Sequence, residues 1–318
     1  MKLTVLGCGR WGSFIAWYLH RLNHDVMLWG RGESPRYKQL NEERHNDLIT
    51  LDESIAMTYD LSEAVEYGEV LFISISSQSL DHLMARISNY PLEGKTIVLC
   101  MKGLEEGTGR RLTEIVAERV GDNPIAIWVG PGHVQDFAQD KTNCMVIDSE
   151  DEATKERLIG ELSSPLIRFY YGDDIIGNEV GAAAKNVIGI AAGMLDGLDQ
   201  SSLKGALMSR GTREISRLIG AMGGKEVSAY GLSHLGDYEA TVFSPYSHNR
   251  RFGELYAKGQ SYDELAEGVS TTKALMVLKD KYGVELPICE AVDAILNQGQ
   301  DPKEALGELF LRTLKREF

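Results

Sequence analysis

The sequence opens with a glycine-rich turn placed between a short apolar run and a helix-like segment. Residues 2–7 have β-type character, and Gly7-Cys8-Gly9-Arg10-Trp11-Gly12 leads into apolar periodicity that reaches about Leu22. In a strand–turn–helix unit, the GxGxxG spacing sets backbone N–H groups and a helix N-terminus against a pyrophosphate. A simple tight turn is the alternative. A second strand-like run at Asp25–Trp29 favours the dinucleotide-binding interpretation.

The residues after this second run bear on the choice of cofactor. A protein that binds NAD usually has an acidic residue here for the ribose hydroxyls, whereas this chain has Gly30-Arg31-Gly32. Arg31 would attract a 2′-phosphate, so we predict NADP in preference to NAD. Glu33, two residues after Arg31, leaves NAD possible as the cofactor. Alternatively, Arg31 is a solvated loop residue that contacts no cofactor.

Strand-like and helix-like segments then alternate. Val70–Ile75, Thr96–Cys100 and Ile125–Val129 are strand-like, and helix-like segments lie around residues 61–67, 79–88 and 110–120. This alternation predicts an α/β fold of the Rossmann type, with a doubly wound parallel sheet. Two further strand-like runs, Asn143–Ile147 and Leu166–Tyr171, extend the predicted dinucleotide-binding domain to residues 1–174.

Ligands of such sheets bind beyond the carboxyl ends of the strands. Three loops are expected there: Ser76–Gln78, Met101–Gly103 and Gly130–His133. Lys102 directly follows a buried strand, so its ammonium group would project into the cleft as a positive charge. A surface lysine in a turn is the alternative.

After Asp174 the strand signals nearly vanish, and residues 175–318 are predicted to form an all-helical substrate domain. The segment Asp174–Gly197 reads as one long buried helix with a single lysine, Lys185. The neighbours of Lys185 three and four positions away are small or apolar, with no carboxylate among them. Glycines in the helix suggest close approach of another helix or a ligand. The alternative is packing through small residues, with the lysine reaching solvent.

Two polar stretches interrupt the helical pattern, at residues 233–241 and 246–253. Their Asp, Ser, Asn and Arg side chains can bind hydroxyl and phosphate groups. Alternatively, Asp237 caps a helix, and Arg250 and Arg251 form a solvated helix start.

Composition narrows the classes of function. A net charge of −14 argues against a nucleic-acid surface. No apolar run reaches the roughly 18 residues of a membrane span, and the chain starts on a strand-like run without a signal peptide. We therefore expect a cytoplasmic protein with no membrane insertion. The four cysteines and seven histidines lack metal-site spacing, so no metal is predicted.

These motifs resemble those of the soluble NAD(P)-dependent glycerol-3-phosphate dehydrogenases, in order and spacing, over essentially the whole chain. The matching segments are GCGRWG, CMKGLEEGTGR, VGPGH, GAAAKNVIGIAAGMLDGL, LMSRG, LGD with SHNRRFG, and AEGVSTTKAL. The resemblance implies reversible reduction of dihydroxyacetone phosphate to sn-glycerol 3-phosphate, which supplies phospholipid synthesis. It also implies a small-molecule substrate and a homodimer.

The resemblance implies roles residue by residue. Lys185 would donate or accept the proton, with Asp237 and Lys102 as the other catalytic residues. Substrate contacts are expected from Lys102, Gly130, Gly132, Lys185, Asn186, Asp237, Thr241, Ser247, His248, Asn249 and Arg250. Cofactor contacts are expected from Gly7, Gly9, Arg10, Trp11, Gly12, Arg31, Lys102, Val134, His248 and Glu267.

The chain departs from the family pattern at several positions. His248 stands where the family usually has an arginine that is expected to bridge cofactor and substrate phosphate. Arg250 could compensate, although helix periodicity puts it on another face. Ile75-Ser76-Ser77 replaces the usual VPS or VPA, and Gly132 stands where Ser or Thr is common. Such changes would retune the substrate without altering the reaction.

Two rival functions stay open at this point. One is another reductase with a Rossmann domain and a helical domain, of the ketopantoate or β-hydroxyacid type, which also uses a helix lysine. The other is an NAD(P)-binding regulator without turnover. The KGLE, LGD and HNRRFG segments favour glycerol phosphate chemistry.

Overall fold

The computed structural model describes residues 1–311, which divide into two compact units. The first unit comprises Met1–Lys102 and Arg110–Ile175, and the second comprises Gly103–Gly109 and the described residues from Ile176 onward. Sequence periodicity gave no sign that residues 103–109 belong with the second unit. They do so because Leu104 is buried in that unit's core and a Cβ on Gly109 would lie 2.8 Å from the Leu278 side chain.

The first unit is an eight-stranded sheet. Its strands are β1 (Lys2–Leu6), β2 (Asp25–Trp29), β3 (Ala56–Thr58), β4 (Val70–Ile73), β5 (Thr96–Leu99), β6 (Ile125–Val129), β7 (Asn143–Ser149) and β8 (Ile167–Tyr171). The spatial order is β3-β2-β1-β4-β5-β6-β7-β8, so the strand order reverses between β1 and β4. Ligands of doubly wound sheets bind at such a switch point.

Seven helices flank this sheet: α1 (Arg10–Arg21), α2 (Pro35–Glu43), α3 (Leu61–Tyr67), α4 (Leu80–Ile87), α5 (Leu112–Val120), α6 (Val134–Phe137) and α7 (Glu152–Leu162). The core between them contains fully buried aromatic rings, including Phe14, Phe72 and Trp128. The predicted α/β sheet is confirmed, and the central strands β4 and β5 are buried on both faces, as expected for parallel pairing.

One strand pair departs from the predicted parallel arrangement. β7 runs antiparallel to β6, with Val129 opposite Val146, whereas every other neighbouring pair is parallel. A parallel return needs a crossover element about as long as the strand. The link between these strands contains only the four-residue α6, which rises roughly 6 Å, against roughly 16 Å for β6. The chain therefore turns back instead of crossing over.

The second unit is helical, and its described residues contain no β-strand. Its helices are α8 (Ile175–Gly197), α9 (Lys204–Ala221), α10 (His248–Ala257), α11 (Glu267–Tyr282), α12 (Pro287–Gln298) and α13 (Pro302–Leu311). Apolar side chains of α8, α9, α11 and α12 form its core. Within the described part of the chain, no helix combines the length and apolar character needed to cross a membrane.

Helix α8 lies at the centre of this unit, and its residues from Gly177 to Leu195 are all buried. Its glycines allow backbone contact with α10. A Cβ on Gly193 would lie 1.9 Å from the carbonyl oxygen of Arg250, and one on Gly253 would lie 2.1 Å from that of Ile190. At Gly193, the close approach that the glycines suggested is therefore made by another helix of the protein.

Candidate functional site

A buried lysine–aspartate pair forms the centre of the candidate site in the helical unit. Lys185 Nζ lies 2.8 Å from Asp237 Oδ2 and 2.7 Å from Thr241 Oγ1. Lys185 is 7% exposed and Asp237 is fully buried. A charge removed from water in this way is retained only with a well-placed partner. The alternative of a lysine reaching solvent is therefore wrong.

The turn that carries Asp237 is fitted to α8. Asp237 ends a 3₁₀ turn, Leu235–Asp237, and a π-helical turn, Glu239–Phe243, follows it. Thr241 Oγ1 donates to the Asp237 carbonyl oxygen at 2.8 Å, so its hydroxyl proton is engaged while its oxygen accepts from Lys185. A Cβ on Gly189 would lie 2.7 Å from Thr241 Cγ2. The small residues on this face of α8 make room for the turn.

Three helices meet at a network of amides next to the lysine. Asn249 Oδ1 accepts from the Gly268 backbone N–H at 2.9 Å, so its amide nitrogen faces Asn186 and donates to Asn186 Oδ1 at 3.0 Å. Asn186 is on α8, Asn249 on α10 and Gly268 on α11. Glu267, the preceding residue, begins α11. The network fixes the position of α10 and α11 beside the residue that follows Lys185.

Ser247 and His248 lie at the N-terminus of α10. Ser247 is the N-cap, and its hydroxyl accepts from the Arg250 backbone N–H at 3.3 Å. His248 is the first helical residue, and its Nδ1 lies 2.5 Å from the hydroxyl oxygen of Tyr262. Backbone N–H groups at a helix N-terminus favour an anion.

Arg250 is held by carboxylates within the same unit. Its Nη1 lies 2.8 Å from Asp196 Oδ2 and 3.1 Å from Glu254 Oε2, and its Nε donates to the Ser244 carbonyl oxygen at 3.0 Å. The side chain is 12% exposed. The alternative of a solvated Arg250 is therefore wrong. Two carboxylates already neutralise the guanidinium, which favours a structural role over phosphate binding.

The glycine turn of the sheet unit has the shape expected for a pyrophosphate site. Gly7 has φ +122°, and a Cβ there would lie 2.1 Å from the Ser74 carbonyl oxygen. A Cβ on Gly12 would lie 1.8 Å from the carbonyl oxygen of Gly7, so α1 packs directly on the turn. Gly9 has open space beside it, with only Arg36 Nη1 at 3.9 Å. Helix α1 begins after Gly9, and no side chain caps its first turn.

The first helical residues, Arg10 and Trp11, lie beside this turn. The Trp11 ring packs against Phe14 and Phe137, with centroid distances of 5.0 and 6.2 Å. The indole is therefore fixed in place next to the first turn of α1.

Two arginines supply positive charge near the turn. The Arg31 side chain is 72% exposed and its Nε lies 3.9 Å from Glu33 Oε1. Arg36 is in the first turn of α2, beside Gly9. Burial raises the pKa of the Cys8 thiol, whereas a backbone hydrogen bond and the charges of Arg36 and Arg31 oppose that rise. Arg36 thus places a guanidinium group beside the glycine turn.

Sequence reasoning missed Arg36. Ser34 and Pro35 are the N-cap and first residue of α2, a combination typical of helix starts. That signal would have placed Arg36 in the first turn of a helix that follows β2.

The loops after β5 and β6 are joined by Lys102. Its Nζ donates to the Gly130 carbonyl oxygen at 2.6 Å. Gly132 has φ +150°, and a Cβ there would lie 2.5 Å from the Phe137 ring, which explains why no larger residue occupies this position. Val134 begins α6 with its side chain in the core, so a cofactor contact there would come from its backbone.

The candidate residues thus form two sets, one within each unit. Lys185, Asn186, Asp237, Thr241 and the start of α10 belong to the helical unit, and the glycine turn, Arg31, Lys102 and the loop Gly130–Val134 belong to the sheet unit. Across the described residues, no group of three or more His, Cys, Asp or Glu side chains is arranged to hold a metal ion.

Comparison with known proteins covers both units. The family model described as NAD-dependent glycerol-3-phosphate dehydrogenase N-terminus matches residues 2–155, and the corresponding C-terminus model matches residues 174–307. A relative from Fusobacterium nucleatum named glycerol-3-phosphate dehydrogenase (NAD(P)+) is 34% identical, over 100% of this chain and 99% of the relative. A relative of the same name from Chlorobium phaeobacteroides is also 34% identical, with the same shares covered.

Solved structures agree with this assignment. Glycerol-3-phosphate dehydrogenase from Coxiella burnetii is similar with a TM-score of 0.91 and 30% identity, covering 98% of each chain. A putative 2-dehydropantoate 2-reductase from Enterococcus faecalis has a TM-score of 0.56 at 15% identity, covering 96% of this chain and 99% of that one, and this likeness concerns the fold alone. The resemblance inferred from the motifs is confirmed: this chain belongs to the NAD(P)-dependent glycerol-3-phosphate dehydrogenase family.

Proposed function

We propose that this protein catalyses reversible reduction of dihydroxyacetone phosphate to sn-glycerol 3-phosphate with NAD(P)H, and so supplies glycerol phosphate for phospholipid synthesis. The observation that carries the proposal is Lys185, a buried lysine held by Asp237 and Thr241 on the central helix of a chain that belongs to this family. A buried, oriented ammonium group can give a proton to a carbonyl oxygen as that oxygen gains charge.

Lys185 is the proton donor in the direction of reduction. The nicotinamide, when bound, supplies the hydride that adds to the carbonyl carbon. Lys185 Nζ gives its proton to the carbonyl oxygen, so the ketone becomes a secondary alcohol and the lysine becomes neutral. In the reverse direction the neutral amine takes the hydroxyl proton. Asp237 and Thr241 aim the ammonium, since each oxygen lies within 2.8 Å of Nζ.

The phosphate of the substrate is held by the amides and hydroxyls next to Lys185, together with backbone N–H groups at the start of α10. We assign this role to Asn249, Ser247 and His248, supported by their place at the start of α10, and to Asn186, supported by its hydrogen bond to Asn249. Thr241 is better placed to orient Lys185, because its hydroxyl proton is engaged by the Asp237 carbonyl. Arg250 is left out of the phosphate site because Asp196 and Glu254 already neutralise it.

The dinucleotide is held mainly by the sheet unit, and its pyrophosphate binds at the glycine turn and the first turn of α1. The open space at Gly9 and the uncapped start of α1 support this assignment. Arg31 would attract a 2′-phosphate, so NADPH is the preferred cofactor. The Lys102 ammonium and the backbone of Gly130 and Gly132 are assigned to the substrate end of the cofactor, supported by their place after β5 and β6. Glu267 and the backbone of Val134 complete the assigned cofactor contacts.

The decisive experiment follows oxidation of NADPH and of NADH separately, with dihydroxyacetone phosphate, with ketopantoate, and with neither. Turnover should require dihydroxyacetone phosphate. Turnover with ketopantoate alone would favour the other reductase class, and cofactor binding without any turnover would favour a regulator.

Substitution of Lys185 tests the assigned chemistry. Lys185→Met keeps most of the length of the side chain but has no proton to give, so kcat should fall by at least about a thousandfold. Binding of NADPH, followed by its fluorescence, should stay near the wild-type value because the pyrophosphate of the cofactor is assigned to the other unit. Asp237→Asn should lower kcat less severely. A Lys185→Met enzyme that binds NADPH and retains near-normal kcat would contradict the assignment.

The assembly and location are further proposals. We propose a homodimer in the cytoplasm, supported by family membership and the composition of the chain. Sedimentation equilibrium should give twice the chain mass, and cell fractionation should place the protein with the cytosol.

A further inference from the structure

His234 and Tyr238 form a hydrogen-bonded pair that encloses the turn carrying Asp237. His234 Nδ1 lies 2.8 Å from the Gly181 carbonyl oxygen, and His234 Nε2 lies 2.7 Å from the Tyr238 hydroxyl oxygen. Both side chains are fully buried, and their rings meet edge to face at 4.9 Å. Neither residue is used in the proton transfer assigned above.

The hydrogen bonds determine the tautomer of His234. A carbonyl oxygen can only accept, so Nδ1 must carry a proton to bond to Gly181. A neutral ring then has no proton on Nε2, which accepts from the Tyr238 O–H. Burial lowers the pKa of His234 to about 4, in keeping with a neutral ring near pH 7.

The contact to Gly181 attaches the turn to α8 one helical turn before Lys185. The carbonyl of residue i in an α-helix accepts from the N–H of residue i+4, which for Gly181 is the N–H of Lys185. A Cβ on Gly181 would lie only 3.0 Å from His234 Cβ, so the glycine allows this approach. Asp237 lies between His234 and Tyr238 in the chain, and its N–H donates to the His234 carbonyl oxygen at 3.0 Å.

We propose that His234, kept in the Nδ1–H form by the Tyr238 hydroxyl, is a positioning residue that holds Asp237 against Lys185. This inference rests on the proposed function of Lys185 and Asp237. The pair anchors the turn to the same helix that carries the lysine, so a neutral His234 sets the geometry of the ion pair. The charged and titratable groups that act on the ring are Lys185, Asp237 and Tyr238, and Glu214 and Cys289 act on Tyr238.

Loss of the Tyr238 hydroxyl tests the proposal, because it should change how kcat depends on pH. In Tyr238→Phe, Nε2 loses the donor that stabilises the neutral ring, so the histidine takes up a proton more readily. An imidazolium ion would compete with Lys185 for Asp237 and would repel the lysine. We expect kcat of Tyr238→Phe to fall roughly tenfold or more near pH 7, with a new acid limb that begins at higher pH than in the wild type.

Two further variants separate positioning from general destabilisation. Tyr18 is also a fully buried tyrosine with a hydrogen-bonded hydroxyl, which donates to the Leu162 carbonyl oxygen at 2.5 Å. Tyr18→Phe should therefore be destabilised to a similar extent without gaining the acid limb. In the double variant Tyr238→Phe/His234→Asn, the amide can still donate to Gly181 but cannot titrate, so the acid limb should disappear. An unchanged profile in Tyr238→Phe, or a limb that survives in the double variant, would overturn the proposal.

A spectroscopic measurement is independent of turnover. In protein with ¹⁵N-labelled histidine, one ring should show a protonated Nδ1 and an unprotonated Nε2 down to about pH 5, and this signal should be absent in His234→Asn. Replacement of Asp237 by Asn should shift the ¹⁵N signals of the His234 ring. If wild-type protein fails to oxidise NADPH with dihydroxyacetone phosphate, the proposed function fails, while this spectrum still decides the state of His234. The opposite tautomer, or a charged ring at pH 7, would overturn the proposal.

Discussion

At the scale of single residues, the sheet unit places two guanidinium groups near one glycine turn, and they are expected to act differently. Arg36 Nη1 lies 3.9 Å from the position of a Cβ on Gly9, which is where the pyrophosphate is assigned. Arg31 lies two residues beyond the end of β2, where the ribose substituent that distinguishes NADP from NAD is expected. Arg36 should therefore contribute to the binding of both NADPH and NADH, and Arg31 should contribute to the binding of NADPH alone.

Arg31→Ala should lower kcat/KM for NADPH by about one to two orders of magnitude and leave NADH nearly unchanged, because a charge-assisted contact is worth roughly 1.5 to 3 kcal/mol. Arg36→Ala should lower kcat/KM for NADPH and for NADH by a similar factor. Both effects should shrink as salt is raised. Lys38→Ala, which removes a charge from the same helix as Arg36, serves as the control. Equal loss for both cofactors in Arg31→Ala would contradict the assignment.

Sequence reasoning identified Lys185 but gave its partners only through the family resemblance. The small neighbours of Lys185 were visible because helix spacing is regular. Its contact to Asp237 spans 52 residues and depends on a 3₁₀ turn followed by a π-helical turn, which have no reliable sequence signature. The engagement of Arg250 by Asp196 was equally hidden, because these residues meet only when α8 and α10 pack.

At the scale of elements, the packing of α8 on α10 controls the site. The carbonyl oxygen of Arg250 would lie 1.9 Å from a Cβ on Gly193, so even one methyl group must push the helices apart. Asn249 and Ser247 lie on or next to α10, and they would move with it. The sequence predicted close approach at this face because glycine is costly in a helix interior. It could not identify the approaching element, since that depends on tertiary packing.

Gly193→Ala should destabilise the protein by about 3 kcal/mol and raise KM for dihydroxyacetone phosphate, because backbone cannot move aside as a side chain can. Gly205→Ala is the matched control. Gly205 lies near the start of α9 and has nothing within 4 Å of a Cβ, so alanine there should be neutral or stabilise by up to about 1 kcal/mol. Urea unfolding and steady-state kinetics measure the two effects. Equal stability of Gly193→Ala and wild type would show that the helices separate without cost.

At the scale of the whole molecule, the division into a sheet unit and a helical unit follows from the switch in apolar periodicity near residue 174. Two features of this division were not visible in the sequence. Residues 103–109 belong with the helical unit although sheet elements flank them, because Leu104 and Gly109 pack with it. The antiparallel β7 follows a connection whose α-helix, α6, has only four residues, and a strand-like pattern does not report the direction of a strand.

The helical unit also contains two buried groups whose titrations have opposite effects on its stability. Glu214 on α9 accepts from the N–H groups of Ile288 and Cys289, at 2.9 and 3.1 Å, at the start of α12. Burial raises its pKa from 4.5 to about 7, although these hydrogen bonds oppose the rise. Because the folded state binds this proton more tightly than the unfolded state, stability from Glu214 is lost as pH rises from about 4.5 to 7.

His234 acts in the opposite sense, because burial lowers its pKa from 6.5 to about 4, and stability is lost as pH falls through that range. Each contribution is on the order of 3 kcal/mol, so the two nearly cancel between about pH 4.5 and 6.5. In Glu214→Gln only the histidine titration remains, so the free energy of unfolding should rise steeply as pH increases over this range. In His234→Asn only the Glu214 titration remains, so the free energy of unfolding should fall as pH increases. Urea midpoints at several pH values, compared with wild type, measure both slopes, and the other carboxylates contribute equally to all three proteins. If both variants retain the wild-type pH dependence, neither group changes its protonation on unfolding, and the proposed neutral state of His234 loses its thermodynamic support.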